Sequence, residues 1–179
     1  SLKEQFDTEI PSYREYAKAA AALFAEHFAH TENKPLLLIE PGSALVGDCM
    51  HFYSKVINIK QVRGKAIATL LGSIYNINPT LNNKNPPLEV YSMGGEQNDY
   101  EDLDFGGYTC IESDYLYRHY SGRLAIGDMV GFGNVGSYSI VLKPPFILPN
   151  FPVIDVSEGK IETIKRAETF EDLFHTYAF

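Results

Sequence analysis

The sequence predicts a mainly β fold that is preceded by a short α/β unit. The α/β unit is indicated by two patterns in the first 43 residues. Ser12 and Glu15 form a capping box at the start of an amphipathic helix that is expected to run to about His30. Leu36–Ile39 follows as a continuous apolar run, which is typical of a strand buried on both faces of a parallel sheet. From Leu45 onward, β-rich runs separated by turns indicate hairpins.

These patterns predict two regions, an α/β unit at 1–43 and a β domain at 44–179. In the β domain, a tight turn is predicted at Val62–Lys65, and a loop rich in acidic residues at 94–105. A short helix is expected at Thr169–Tyr177, with Asp172 completing the cap of Thr169. The predicted strands are 52–60, 66–77, 88–93, 107–111, 129–132, 137–142, 153–156 and 160–166.

Composition excludes several classes of protein. The net charge of −8 argues against a nucleic-acid-binding surface, and no apolar run is long enough for a membrane span. Two cysteines far apart in sequence do not form a disulfide framework, so a reducing, cytoplasmic setting is the simplest interpretation. One helix and one strand cannot close a sheet. Together with the opening Ser1-Leu2, this favours a chain cut from a longer protein, the alternative being removal of an initiator Met.

A first candidate site follows the predicted strand, at Glu40-Pro41-Gly42-Ser43. A carboxylate at the end of a buried strand lies where α/β folds bind their ligands. Gly42 allows a backbone amide to approach an anion closely, and the Ser43 hydroxyl adds a donor. The alternative is an ordinary Pro-Gly turn with a solvated Glu40.

A second candidate is the glycine-rich stretch between Gly127 and Tyr138. Its glycines permit unusual backbone angles beside Tyr138, whose hydroxyl could then reach a phosphate. The alternative is a β-bulge with Tyr138 as a half-buried strand residue.

The third candidate is Cys110, which lies between the Gly106-Gly107 turn and a cluster of acids. A thiol held there could donate a proton, although a small Cys at the end of a strand is more often packed as an apolar residue. No metal site is expected, because the five histidines lack metal-ligand spacing. Asp99–Asp104 is interpreted as a solvated acidic loop, and a calcium site there is the weaker alternative because the spacing is not that of an EF-hand.

Taken in order, these segments resemble the C-terminal part of the fold-type III pyridoxal-phosphate decarboxylases, the family of diaminopimelate and ornithine decarboxylases. Residues 40–43 resemble the family's Glu-Pro-Gly-Arg, and 107–110 resemble Gly-Pro-x-Cys. Residues 127–138 resemble the Gly-Asp … Gly-Ala-Tyr block, and 166–173 resemble the closing helix. The resemblance covers nearly the whole chain in the correct order.

The resemblance implies a Greek-key β-barrel or sandwich domain that is preceded by the last helix and strand of a (β/α)₈ barrel. It implies pyridoxal 5′-phosphate as cofactor, with Glu40 on the pyridinium nitrogen and with Gly42, Ser43 and Tyr138 in the cofactor site. Cys110 would protonate the Cα carbanion on the partner's cofactor across a homodimer interface. The Schiff-base lysine would lie upstream of this chain, so the fragment alone is expected to be inactive.

The departures from the family pattern concern the substrate. Ser43 and Asn78 stand where the family has Arg, and Ile111 replaces the acid after the cysteine, with Glu112 as its nearest substitute. Ser and Asn cannot form a bidentate, charge-assisted contact with a carboxylate as strong as that of Arg. These changes predict a decarboxylase of a different amino-acid-like substrate, larger or conjugated. The alternative is a degenerate β domain that binds or dimerises without catalysis.

Overall fold

A helical segment opens the structure, a computed structural model that describes residues 9–80 and 84–178. It consists of α1 (Tyr13–Ala17), a π-helical turn (Lys18–Ala22) and α2 (Leu23–His27). The predicted capping box is present: the Glu15 carboxylate accepts hydrogen bonds from the amide and hydroxyl of Ser12, each at 2.7 Å. The predicted helix is therefore confirmed.

Leu36–Ile39 does not form the predicted strand. Its side chains are 39–82% exposed, and no strand of the described residues lies beside it. A strand of a parallel sheet needs hydrogen-bonding neighbours on both sides, and the apolar run has none in the part of the chain that is described. The prediction was correct about apolar character and wrong about local structure.

A six-stranded sheet forms the body of the molecule, and its strands follow the order β3-β6-β1-β2-β4-β5. All neighbours are antiparallel except β2 and β4, which are parallel. The turn between β1 and β2 is at Arg63-Gly64 as predicted, and both residues have positive φ (52° and 82°), as in the turns that suit twisted hairpins. The strands are β1 (Phe52–Val62), β2 (Lys65–Leu70), β3 (Leu88–Tyr91), β4 (Asn98–Gly106), β5 (Tyr115–Leu124) and β6 (Met129–Phe132).

The sheet curls into a nearly closed barrel. Phe105 of β4 and Phe132 of β6 are separated by two strands, yet their ring centroids are 6.3 Å apart in the core. Neighbouring strands are about 4.8 Å apart, so a flat sheet could not bring these rings together. Asn85, just before edge strand β3, exchanges hydrogen bonds of 2.7 and 2.8 Å with the backbone of Arg118 on the opposite edge strand, β5. The predicted fold class, mainly β with a barrel-like domain, is confirmed.

The acidic loop predicted at 94–105 is wrong, because most of it is strand β4. Leu103 and Phe105 point into the core and are fully buried. Asp104, also buried, is paired with the Nζ of Lys65 at 3.1 Å and the Nη1 of Arg118 at 3.2 Å. Pairing with cations from other strands allows an acidic sequence to form a strand within the sheet.

Three further expectations about strands were also wrong. Residues 107–111 and 137–142 are turns, and β2 ends at Leu70 instead of continuing to Ile77. A Cβ at Gly72 would lie 2.7 Å from the Ser54 hydroxyl, so the chain approaches β1 closely as it leaves the sheet. Strand β5 was not predicted.

The C-terminal segment forms a two-stranded sheet and a short helix. The hairpin consists of β7 (Val153–Asp155) and β8 (Glu162–Lys165), and α4 spans Phe170–Phe174. The predicted cap of this helix is present, since the Asp172 carboxylate accepts from the Thr169 amide at 2.8 Å. Among the described residues, no helix has the length and apolar character that crossing a membrane requires.

Candidate functional site

Two of the predicted segments meet at Gly42 and Tyr138. Gly42 has φ 49° and ψ −114°, and a Cβ placed on it would lie 3.6 Å from the Tyr138 hydroxyl. The next residue, Ser43, begins the short helix α3 (Ser43–Val46), and its hydroxyl is 2.7 Å from that of Ser137. Residues about 95 positions apart therefore form one cluster of hydroxyl groups beside an open glycine.

This cluster depends on close packing between two turns. A Cβ at Gly136 would lie 1.9 Å from the Val46 carbonyl oxygen and 2.8 Å from the Cys49 Sγ. The Gly136 amide donates to the Gly47 carbonyl at 3.0 Å. Only glycine permits this approach of two backbones, and the approach places residues 137–138 beside 42–43.

Tyr138 has an unusual backbone conformation for a residue with a side chain. Its φ is 61°, in the left-handed region, and its carbonyl accepts from the amides of Val141 and Leu142 at 3.2 and 2.9 Å. Bulky residues rarely adopt this backbone conformation, and they keep it only where surrounding contacts stabilise it. The side chain is 55% exposed, so the hydroxyl is available to a ligand.

Glu40 is exposed, and its carbonyl oxygen would lie 4.0 Å from a Cβ on Gly42. Its backbone therefore borders the same cluster, and its carboxylate is accessible to solvent.

Cys110 lies in the turn between β4 and β5, where its thiol is free and exposed. The turn is organised by Asp114, whose side chain is buried with a residue exposure of 4%. One Asp114 oxygen accepts from the amide of Ile74 at 2.9 Å. The other accepts from the amide and hydroxyl of Thr109, at 3.1 and 2.6 Å. Ile111 is half-buried beside Cys110 and Glu112 is exposed.

Asn78 is only 2% exposed, and its side chain is hydrogen-bonded within the fold. Its amide nitrogen donates to the Ser137 carbonyl at 3.1 Å, and its carbonyl oxygen accepts from the Thr80 amide and hydroxyl at 3.0 and 2.7 Å. Its backbone amide donates to the Ser139 hydroxyl at 3.1 Å. Asn78 thus holds the turn that carries Tyr138.

Residues 73–78 form a bridge that sequence reasoning missed. The bridge contacts the Cys110 turn at two points. The Ile74 backbone amide donates to the Asp114 carboxylate, and the side-chain Nδ2 of Asn76 donates to the Tyr108 hydroxyl at 3.3 Å. At its other end, Asn78 contacts the Tyr138 turn. The signal that could have revealed it is Ser73 with Asn76, a capping pair typical of a short turn and not of a continuing strand.

One group of potential metal ligands occurs in the described part of the chain. Ligand atoms of Asp102, Asp104 and His119 lie within 4.8 Å of one another. The Lys65 ammonium bonds to both carboxylates and lies 3.3 Å from the His119 Nδ1. Burial lowers the pKa of Lys65, but its hydrogen bonds to the two carboxylates outweigh burial and raise it. Lys65 therefore supplies the positive charge that this group needs.

A cavity of about 550 Å³ is lined by residues of the 140–150 segment and by residues 165–173, which include the end of β8 and part of α4. Its lining residues include none of the predicted site residues. Lys165 and Arg166 line it, and they are already paired with Glu168 at 3.0 Å and with Asp172 at 2.6 Å. We therefore do not take this cavity as the functional site.

Comparison with known proteins places these features in a family. Residues 18–136 match the family model described as the C-terminal sheet domain of pyridoxal-dependent decarboxylases. The chain is 25% identical over 162 residues to a diaminopimelate decarboxylase of Methanothermobacter thermautotrophicus, covering 89% of this chain and 38% of that protein.

Solved structures give the same fold. A diaminopimelate decarboxylase structure matches 98% of this chain and 45% of its own with a TM-score of 0.83 and 17% identity. The diaminopimelate decarboxylase of M. jannaschii, in co-complex with L-lysine, matches 99% of this chain and 41% of its own with a TM-score of 0.81 and 20% identity. The chain thus spans less than half the length of these relatives.

Proposed function

This chain belongs to the pyridoxal-dependent decarboxylase family through its C-terminal sheet domain, and we propose that it is part of an enzyme that decarboxylates an amino acid or an amino-acid conjugate. The observation that carries the proposal is the meeting of Gly42 and Ser43 with Ser137 and Tyr138. These residues are far apart in sequence, and their proximity in the fold supports the cofactor site that the resemblance implies.

We infer that residues 1–43 are the last helix and strand of a (β/α)₈ barrel and that 44–179 form the β domain. The exposed apolar run Leu36–Ile39 supports this division, since burial of its side chains needs strands that the described residues do not supply. The length of the relatives supports it as well, because the matched region is 38–45% of each of their chains.

The residues at Gly42 fit pyridoxal phosphate. The missing Cβ leaves space beside the exposed Tyr138 hydroxyl, and hydroxyl donors suit phosphate oxygens. In this proposal Tyr138, Ser43 and the Gly42 amide hold the phosphate, and the Glu40 carboxylate keeps the ring nitrogen protonated. When bound, the cofactor supplies an electron sink for the pair left at Cα as CO₂ departs.

Cys110 is proposed to return a proton to Cα in the active site of a second copy of the chain. Its thiol is exposed at the tip of an ordered turn, the arrangement expected of a group that is inserted into a partner. Placed there, the thiol would act as a general acid toward Cα, a role that contributes roughly 10²–10⁴-fold to a rate. This step makes the active enzyme a homodimer.

The substrate side differs from that expected for a simple diamino acid. Ile111 has no acceptor for a distal ammonium, and the exposed Glu112 is the acid nearest in sequence. We propose that Asn78 positions the turn of Tyr138 and does not contact substrate, because its side chain is hydrogen-bonded to Ser137 and Thr80. We therefore propose a substrate with a larger or conjugated side chain.

The proposal is tested with the Cys110→Ala variant of the full-length protein. Carbon dioxide release is measured over a panel of basic amino acids and their conjugates. We expect kcat to fall by about 10²-fold or more with the visible absorbance of the bound cofactor retained. Cys49→Ser is the matched control, because Cys49 is also a free, exposed thiol. Serine keeps a small side chain beside Gly136 and a donor to the Val46 carbonyl, so this variant should keep normal turnover. Equal turnover of the two variants would contradict the proton-donor role.

A non-catalytic β domain is the second candidate. It is favoured by Ser43 and Asn78, which stand where the resemblance implies Arg and thereby remove two charges from the pocket. The upstream coding sequence decides between the two candidates. A lysine at the end of an early barrel strand supports the enzyme, and its absence supports the binding domain.

A further inference from the structure

We infer that Asp114 is a positioning residue for Cys110: its buried carboxylate fixes the turn that presents the thiol, and residues 73–78 fix that turn relative to Tyr138. The inference rests on the proposed function for its catalytic meaning. Its geometric basis is independent of that function.

The Asp114 carboxylate receives three hydrogen-bond donors, one on Oδ1 and two on Oδ2. They are the Ile74 amide at 2.9 Å, the Thr109 amide at 3.1 Å and the Thr109 hydroxyl at 2.6 Å. Both oxygens face backbone N–H groups, so the site needs an acceptor at each end. An Asn side chain would turn its NH₂ toward one of these amides in either orientation, and that amide would lose its partner.

Backbone hydrogen bonds complete a closed turn around the thiol. The Gly107 amide donates to the Asp114 carbonyl at 2.9 Å, and the Asp114 amide donates to the Ile111 carbonyl at 3.0 Å. A Cβ at Gly107 would lie 2.2 Å from an Asp114 carboxylate oxygen, so glycine is required at this close approach. The residues on both sides of Cys110 are held, and Cys110 itself is left exposed.

The same carboxylate connects this turn to the candidate cofactor site. Ile74 lies in the bridge of residues 73–78, and the other end of the bridge, Asn78, binds the Ser137 carbonyl at 3.1 Å. In a dimer where Tyr138 serves its own chain and Cys110 serves the partner, the bridge sets the geometry of one site relative to the other. Chains of packed residues and hydrogen bonds of this kind can carry energetic coupling between two sites.

The experiment compares Asp114→Asn with Asp128→Asn in the full-length protein. Asp128 is the matched control, because it is 1% exposed and also accepts backbone amides, from Met93 at 3.0 Å and Ala125 at 2.9 Å, in a different turn. Alkylation of each thiol by iodoacetamide is followed by peptide mass spectrometry, with Cys49 as internal reference. Turnover and the urea unfolding midpoint are measured on the same samples.

In the proposed homodimer the Cys110 thiol is inserted into the partner and is shielded from the reagent. We expect Asp114→Asn to release the thiol and to raise its alkylation rate on the order of tenfold, the factor that one unsatisfied buried amide corresponds to. Alkylation of Cys49 should stay constant, and kcat should fall with KM changed less than about twofold. Asp128→Asn should lower the unfolding midpoint comparably and leave the Cys110 rate unchanged. Equal Cys110 rates in the two variants would overturn the inference.

Further variants keep the test decisive if Asp114→Asn does not fold. Thr109→Val removes the hydroxyl donor and leaves the carboxylate, and it should also raise the Cys110 rate, whereas Thr109→Ser should restore it. If Cys110→Ala slows turnover and Asp114→Asn does not, the positioning role fails and the proposed function stands. If Cys110 reactivity depends on Asp114 but turnover does not depend on Cys110, the proposed function fails instead.

Discussion

Substitution of Gly136 by Ala tests the packing on which the candidate cofactor site depends. The added methyl group would lie 1.9 Å from the Val46 carbonyl oxygen, whereas ordinary contact begins at 3.4 Å. One of the two turns must therefore move by about 1.5 Å. The Val46 carbonyl belongs to the backbone, so side-chain rotation cannot relieve this overlap.

The magnitude follows from two contributions. Overpacking of a buried site costs about 1–3 kcal/mol. The hydrogen bond of 3.0 Å from the Gly136 amide to the Gly47 carbonyl is lost as the turns separate, at a cost of about 1 kcal/mol. The expected decrease in the free energy of unfolding is therefore about 2–4 kcal/mol. Separation also moves Tyr138 away from Gly42.

Gly133→Ala is the matched control, since it lies three residues earlier in the same buried turn. A Cβ there would lie 3.4 Å from Pro87 and 3.5 Å from His51, which is ordinary contact. The control should stay within about 1 kcal/mol of the parent protein. Urea unfolding is measured for both variants, and cofactor retention is measured by visible absorbance after dialysis of the full-length protein.

Equal stability and equal cofactor retention of Gly136→Ala and Gly133→Ala would show that close packing at Gly136 is not required. If Gly136→Ala is unstable but retains the cofactor with unchanged affinity, the packing argument stands and the location of the phosphate site beside this turn is wrong.

Two further predictions concern ion pairs. The bidentate contact of Arg166 holds the pKa of Asp172 below its ordinary value of 3.8, so this carboxylate stabilises the fold above about pH 4 and loses that effect as the pH falls further. The difference in urea midpoint between the parent and Asp172→Asn should therefore be full at pH 6 and shrink in acid. Lys65→Met should lower the free energy of unfolding by about 1–2 kcal/mol, because Asp104 is buried and loses one of its cationic partners.

Each of these predictions has a control at a nearby position: Glu171 lies on the same helix as Asp172, and Lys60 lies on the strand paired with that of Lys65. Glu171→Gln alters the exposed carboxylate beside Asp172 and should show no comparable change of midpoint difference with pH. Lys60→Met removes an exposed ammonium from β1, next to the β1–β2 turn, and should change stability by less than about 0.5 kcal/mol. A pH-independent effect of Asp172→Asn, or equal effects of the two lysine variants, would contradict the assignments.

Features set by neighbouring residues were predictable from the sequence. The caps at Ser12 and Thr169 and the turn at Arg63-Gly64 each depend on groups within three or four positions of one another. Strand β4 was not predictable in this way, because its acidic residues are compensated by Lys65, 37 positions away from Asp102. A salt bridge between strands that are far apart in sequence cannot be recognised from the residues next to the acid, so local strand propensity does not predict it.

The candidate site shows the same limit. The motifs at Gly42, Cys110 and Tyr138 were identified from the sequence, but their relation to one another depends on buried polar residues in other segments. Asn78 was expected to contact substrate because an Arg is implied at this position, yet its side chain is bonded to Ser137 and Thr80. The resemblance to the family identifies which position is equivalent, but it does not fix where a different side chain will point. A shorter, uncharged residue at that position can turn inward and form hydrogen bonds with buried polar groups.

This arrangement explains how a substrate could change while the chemistry is kept. The shape of the Cys110 turn is set by Asp114 and Thr109 through bonds that do not involve the side chain of Ile111. Position 111 can therefore exchange an acid for an apolar residue without moving the thiol. The cofactor side of the proposed site is held by the glycine contact at Gly136. Its connection to the Cys110 turn passes through Asp114 and residues 73–78 and does not use the side chain of Ile111. Substitutions at residue 111 should therefore alter which substrates are accepted and leave cofactor retention unchanged. Ile111→Asp, which restores an acid, should increase kcat/KM for diamino acids relative to conjugated amino acids at constant cofactor content. A loss of cofactor in that variant would show that the two sides of the site are not independent.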